Sequence, residues 1–439
     1  MKNTLLLLFL LLCQYAAIGQ GNLLPHGNPA YHIVDRLSIK TDIQPGFHTS
    51  IQPFHRGPVV QYAMQIDTSM NLSISSKDRM DLYYIFRDNN EWLLCSEYPT
   101  TLFGKKEPVY SEAHTDDDGT TFYTKSTPIE ACEKDARYTE TQKPLLKHFY
   151  KTPANFFEIN NKHFYLRVNP QLDFRVARQM EMEDDGAIFL NKRGMEIRGG
   201  IDDRLFFYTN IYEIQGQFAQ YVRRYRQQFQ THPKAGLVKG FDPTVFPLEN
   251  AIDYNWGTAM VGFNLSKHIG VQFGHGSNFI GNGYRSLLLS DFAANYLHLK
   301  INWEVGPFHY QNLFAELNAL SPNADRGDVR VPRKYLAGHY LSFDLWKGAK
   351  FGFYEVTVFS REDGDQFELQ YLNPVILYRS VEQLIGSPDN VLIGANFSQN
   401  LFRRFQLYGQ VVLDEFKASE GSGWWANKFG VQAGMKYID

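Results

Sequence analysis

From Tyr296 to Val305, apolar and polar side chains alternate without a break. Leu297, Leu299, Ile301, Trp303 and Val305 fall on one side, and His298, Lys300, Asn302 and Glu304 on the other. Successive side chains of a strand face opposite ways, so this ribbon has one greasy and one wet face. The same period of two runs through Phe164, Leu166, Val168, Leu172, Phe174 and Val176, which alternate with Tyr165, Arg167, Asn169, Gln171, Asp173 and Arg175. Further strands are expected at 193–199, 205–212, 258–265, 270–275, 308–317, 335–345, 351–360, 391–398, 405–414 and 428–437, about a dozen in all. Gly199 to Asp203, Gly306-Pro307 and Lys347-Gly348 read as joints between neighbours. The pieces 215–250 and 321–334 read as rim loops or lumen plugs.

Before residue 151 the pattern is mixed. Asn28-Pro29 opens a helical segment through Leu37, and Ser75-x-x-Asp78 forms a capping box ahead of Leu82, Ile85 and Phe86. Phe54 to Pro58 reads as a loop, and His114 to Thr127, with its Asp116-Asp117-Asp118-Gly119 run, as a turn or exposed tip. At the start, Lys2, the apolar stretch Leu5 to Leu12 and Ala17-Ile18-Gly19 compose a secretory signal peptide over 1–19. The bulky Leu12 before Cys13 disfavours a lipoprotein. The division expected is therefore leader 1–19, a partly helical periplasmic or lumen-associated module 20–150, and a sheet region 151–439.

No apolar run reaches the roughly 18 residues of a membrane helix. Strands of this length on a secreted chain instead suit a transmembrane β-barrel, with lipid outside and water within. Composition agrees: 26 Tyr and 34 Phe coexist with a mean hydropathy of −0.36, which alternation produces and membrane helices do not. A soluble β-sandwich also alternates. Strand length, aromatic residues near strand ends (Trp303, Trp346, Trp424-Trp425) and hairpin joints sustained over the whole region favour the barrel. The chain ends Tyr437-Ile438-Asp439, without the terminal aromatic of many such barrels, so the sequence is expected to be short of a full set of strands. A net charge of −3 argues against a nucleic-acid partner. Cys95 and Cys132 could pair in an oxidising periplasm, at a gain of about 3–4 kcal/mol.

The block Gly274 to Asp291 (GHGSNFIGNGYRSLLLSD) resembles the signature of Bacteroidetes proteins in the Wzi-type capsule-assembly family, a group that includes the gliding-motility protein RemB. Tyr371 to Val375, Gly386 to Asn390 with Leu392, Asp414-Glu415-Phe416, Arg193 to Gly199 with Phe207-Tyr208-Thr209, and Tyr31-His32-x-x-Asp35-Arg36-Leu37 are similar as well. The resemblance implies an outer-membrane β-barrel with a helical accessory part that acts without catalysis. Its expected partners are capsular or surface polysaccharide and outer-membrane lipid, with other cell-surface or motility proteins in a gliding or adhesion role.

Within the block, the glycines allow close backbone approach, and His275, Asn278, Tyr284, Arg285 and Asp291 offer donors, acceptors and a stacking face. That mixture suits a sugar, with Arg285 available to a carboxylate or phosphate. The alternative is an inward-folded loop in which Arg285 and Asp291 pair with each other. A nucleotide loop is excluded, since no helix pattern and no Lys-Ser/Thr follow the glycines. Asp344, Glu355, Asp414 and Glu415 read as lumen acids matched to Arg379, Arg403 and Arg404 rather than a glycosidase pair, because neighbours on a strand face opposite ways. A secreted polysaccharide hydrolase using these acids or Glu304 is the rival from another class. His268, His275, His298 and His309 lack metal-ligand spacing, and Ser277 and Ser290 lack a nucleophile elbow. No cofactor is expected.

Overall fold

The computed structural model describes residues 22–41, 43–69, 74–92, 112–115, 121–124, 149–150, 154–160, 163–180, 186–202, 204–240, 250–319, 331–361, 366–375, 377–387, 389–414 and 427–438. The leader, Cys95, Cys132, Glu415 and Trp424-Trp425 lie outside these residues.

Among its described residues, the N-terminal module is built on three helices. α1 (Pro29–Lys40) starts where Asn28 accepts a bond from the Ala30 amide at 2.9 Å. α2 (Arg56–Asp67) begins inside the stretch expected to be a loop. Pro58 sits in its first turn, where a missing N–H costs nothing, so the apparent breaker is a starter. α3 (Ser76–Asp88) carries the capping box: Ser75 and Asp78 bond each other's backbone amides. Ile33, Val34, Leu37, Val59, Ala63, Ile66, Leu82 and Ile85 meet in one core, the branched side chains worth roughly 1.5–3 kcal/mol each when fully buried. Strand β1 (Ile51–Gln52) joins α1 to α2. β2 (Glu112–Thr115) and β3 (Thr121–Thr124) form a hairpin of their own.

Among the described residues, the rest is built around an antiparallel sheet of 14 strands. It begins with β4 (Phe157–Asn160), β5 (Phe164–Arg178), β6 (Ala187–Ile201) and β7 (Leu205–Gln217). After helix α4 (Gln220–Phe229) come β8 (Lys239–Gly240), β9 (Ile252–Asn264), β10 (Ile269–Gly276), the separate β11 (Phe279–Ile280), β12 (Tyr296–Val305) and β13 (Phe308–Asn318). β14 (Arg333–Trp346), β15 (Ala349–Phe359), helix α5 (Tyr378–Ile385), β16 (Asn390–Leu401), β17 (Phe405–Asp414) and β18 (Lys428–Tyr437) complete it. From β4 to β18 each strand pairs with the next in the chain, with β8 on β9 off that path and β11 outside the sheet. One rim carries short joints, including Gly306 and Gly348 at positive φ, and the other carries the long connections. The segment 215–250 is not a plain loop: β7 runs on to Gln217 and α4 follows. Likewise β6 continues through Gly199 to Ile201, so the joint falls at 202–204.

Polarity across this sheet is inverted. On one face Leu172, Val176, Phe273, Val261 and Phe353 stand open, Val176 with 90% of its surface exposed. On the other, Arg167, Arg198, Gln272, His298, Lys300, Asn302, Gln311 and Gln410 are buried. Flat, a sheet this wide would span about 55–60 Å. Yet the module reaches both edges: Lys436 of β18 pairs with Asp35 of α1 at 2.6 Å, and Asn155, just ahead of β4, donates to Asn90 at 3.3 Å. Between them, Ser342 of β14 meets His48 at 2.7 Å and Asn400 of β16 donates to the Ser38 carbonyl at 3.1 Å. The sheet is therefore rolled around the module, polar face inward and apolar face outward, as a transmembrane β-barrel. All of these contacts lie toward the short-joint rim, so the module plugs that end. Among the described residues no helix is long and apolar enough to cross a membrane, and β4 and β18 pair on one side only.

One long connection folds back over the outer wall. α5 and the turn Leu369–Leu372 place Tyr371, Tyr378 and Val381 on Phe314, Tyr335, Ala337 and Phe359. The Pro374 carbonyl accepts bonds from Tyr310 and from Asn312 (3.2 Å), and Glu355 accepts the Arg379 amide at 3.2 Å. Glu355 and Arg379 therefore belong to the outer wall under this flap, not to the lumen. Arg403 and Arg404 lie in the short joint after β16, and Asp344 bonds Lys350 at 2.8 Å.

Candidate functional site

The Gly-rich block leaves β10 and turns into the lumen. Ile280 pairs with Ile51 and Phe279 with Gln52, so β11 and β1 form a small strip inside the barrel. The Gly281 amide donates to the Ser50 carbonyl at 2.8 Å, and Asn282 bridges Thr49 (3.2 Å) and Asn396 (3.1 Å). Gln410 of β17 clamps the turn, donating to the Ile280 carbonyl at 3.0 Å and accepting the Leu287 amide at 2.9 Å. At Gly281, with φ +149°, a Cβ would lie 2.5 Å from the Gln410 amide nitrogen, which its bonds hold in place. The glycine is required for close approach of the loop to the wall.

This crossing loop divides the five candidate residues. Tyr284 and Arg285 lie beside Tyr408 and Gln432 of the last two strands; Gln432 donates to the Arg285 carbonyl at 3.1 Å. Tyr284 is 83% exposed and Arg285 stacks on its ring at 4.5 Å. His275, Asn278 and Asp291 belong to another place, a chamber of about 310 Å³ against β6–β12. Arg285 and Asp291 do not pair; Asp291 binds Lys234 at 2.6 Å.

The chamber was invisible to sequence reading because its walls come from the wet faces of strands far apart in the chain. Register sets Tyr208 opposite Met260, Tyr212 opposite Trp256 and Ile214 opposite Tyr254. Their inward positions give an aromatic wall, and Lys192 lies 3.5 Å from the Tyr212 ring centre. β12 contributes His298 and Lys300. Residues 23–26 of the module make the floor, where His26 donates to the Ser277 carbonyl at 3.1 Å. Burial lowers the His26 imidazole from its ordinary value, against the pull of that carbonyl. Asn278 donates to the Tyr296 hydroxyl at 3.1 Å and is buried, a wall residue. At the long-loop rim, Asn295 donates to the Gly257 carbonyl at 2.6 Å, and Trp256 to the Lys234 carbonyl at 3.3 Å.

A second cluster seats the module. Arg198 binds Glu91 at 2.9 Å and Glu196 at 2.5 Å, Arg56 binds Asp88 at 3.2 Å, and Arg167 lies 3.4 Å from Glu158. Burial pushes Glu91 up, but the three guanidinium groups prevail and hold it well below the usual carboxylate range. Among the described residues no group of three or more His, Cys, Asp or Glu is placed to hold a metal.

No family model matches this chain, and no curated protein does. Among solved structures it is similar to OmpF of Salmonella typhi in complex with daunomycin, at 9% identity and a TM-score of 0.27, over 64% of this chain and 88% of that one. A likeness that slight leaves the barrel resting on this chain's own register and polarity.

Proposed function

We propose that this chain is a non-catalytic outer-membrane barrel that holds surface polysaccharide, of the Wzi type that its 274–291 block resembles. The observation that carries the reading is the chamber beneath the long-loop rim, walled by Tyr208, Tyr254 and Trp256 beside polar groups. Rings cover the apolar C–H faces of sugars while amides and charges meet their hydroxyls. The plugged short-joint end supports retention rather than passage. Asp344 and Glu355 are engaged in structural bonds, which supports a role without hydrolysis.

The test is the ratio of shed to cell-bound polysaccharide. A strain lacking the protein should release polysaccharide into the medium. Trp256→Ala should do so too, with normal barrel assembly, because losing such an anchor costs about 2 kcal/mol, or roughly thirtyfold in affinity. An unchanged ratio in the strain without the protein overturns the reading, and a motility defect in that strain would favour a gliding or adhesion role.

A further inference from the structure

Lys300 sits in the middle of β12 with its side chain inward and only 2% of its surface exposed. A buried ammonium ordinarily has a carboxylate or a set of carbonyls to compensate it, because desolvating an unpaired charge costs several kcal/mol. Lys300 has neither a hydrogen bond nor an ion pair among the described residues. It borders the chamber on one side and, on the other, a smaller cavity lined by His48, His55, Glu304 and His309. Glu304 lies beyond 4 Å of the ammonium and is itself 3.8 Å from His309. Of the charged side chains lining the larger chamber, Lys192, Lys234 and Lys300 are positive and Asp291 alone is negative, already bound to Lys234.

We propose that the chamber takes an anionic saccharide, its carboxylate or phosphate seated on Lys300 with help from Lys192 while the sugar ring lies against Trp256 and Tyr254. This deepens the polysaccharide reading and rests on it. The ligand supplies the counter-charge that the fold withholds, so a neutral sugar of the same shape leaves the ammonium unpaired. The Lys234–Asp291 pair stands at the mouth, where the Trp256 indole also bonds the Lys234 carbonyl.

The experiment is calorimetric titration of the full chain in detergent with three probes: methyl glucuronide, glucose 6-phosphate and methyl glucoside. At least one acidic probe should bind about tenfold or more tightly than the glucoside, as a charge-assisted contact requires, and the stronger of the two identifies carboxylate or phosphate. Lys300→Met should bring the acids down to the level of the glucoside and leave the glucoside unchanged, while Glu304→Gln should keep the preference. Because the Met variant removes an uncompensated buried charge, it should fold at least as stably as the parent. Equal binding of all three probes, or a preference that survives Lys300→Met, overturns the anionic assignment and leaves the polysaccharide reading standing. Binding of none of them, together with an unchanged shed-to-bound ratio in the strain lacking the protein, overturns both.

Discussion

Two titratable residues of the module tie the plug to pH. Burial pushes Asp78 up, but bonds from Lys40, Ser75 and Arg36 hold it well below the usual carboxylate range. Its contribution is present above the unfolded pKa of 3.8 and disappears as pH falls below it. His48 is also shifted down, which for a base favours the neutral form: burial, with Lys350 adding to it, lowers it to about 3. The folded protein keeps it neutral while the unfolded chain takes up a proton below pH 6.5, so stability falls as pH drops from there. Thermal unfolding in detergent should therefore show a midpoint falling between pH 7 and 5, with a shallower slope in His48→Gln. Asp78→Asn should cost about 3 kcal/mol at pH 7, because Arg36 loses a buried partner, and leave that slope unchanged. A variant slope equal to the parent's would show that His48 does not carry the effect.

Among elements, the strands were legible because a period of two persists whatever the surroundings. The sequence also distinguished the two faces of β12, since its wet side became the lumen. What it could not separate was a solvated position from a buried polar one: Lys300 read only as one more residue of the wet face. Gly274 to Asp291 read as one site, yet His275, Asn278 and Asp291 border the chamber while Tyr284 and Arg285 lie apart from it, because a Gly-rich loop has the same composition whether it turns in or out. The flap was hidden as well. Leu384 on α5 is 76% exposed, and nothing in the spacing of a connection shows that it lies back on the outer wall. The lipid face yields a depth test. Phe273→Arg, mid-strand on the outer face, should destabilise the barrel by about 2–4 kcal/mol, and Phe429→Arg, near the long-loop end of β18, by about 1 kcal/mol or less. Unfolding in urea, followed by heat-modifiable mobility, reads both, and equal costs would argue against a bilayer around this wall.

For the whole molecule, the module is a clasp as well as a plug. Lys436 and Asp35 bind the last strand to the first helix, while Asn90 and Glu91 hold the opposite edge through Asn155 and Arg198. Both members of the Asp35–Lys436 pair are partly exposed, so their coupling should be modest, about 0.5–1 kcal/mol. A double-mutant cycle measures it: Asp35→Lys and Lys436→Asp should each loosen the plug toward proteolysis, and the double exchange should restore protection. Additive losses in the double variant would mean that the edge is held by packing alone.

The Asp35–Lys436 contact also implies an order in time. α1 precedes all 14 strands of the sheet and β18 ends it, and the two partners lie 401 residues apart. Short joints let neighbouring strands zip locally, but the seam between first helix and last strand can form only when everything between them is in place. The entropy of closing so long a loop rises only with the logarithm of its length, so what such a distant contact taxes most is speed rather than final stability. Until then the polar lining of β16–β18 lacks the surface it is shaped to meet, and that interval is when a membrane-bound intermediate would be most exposed to proteases.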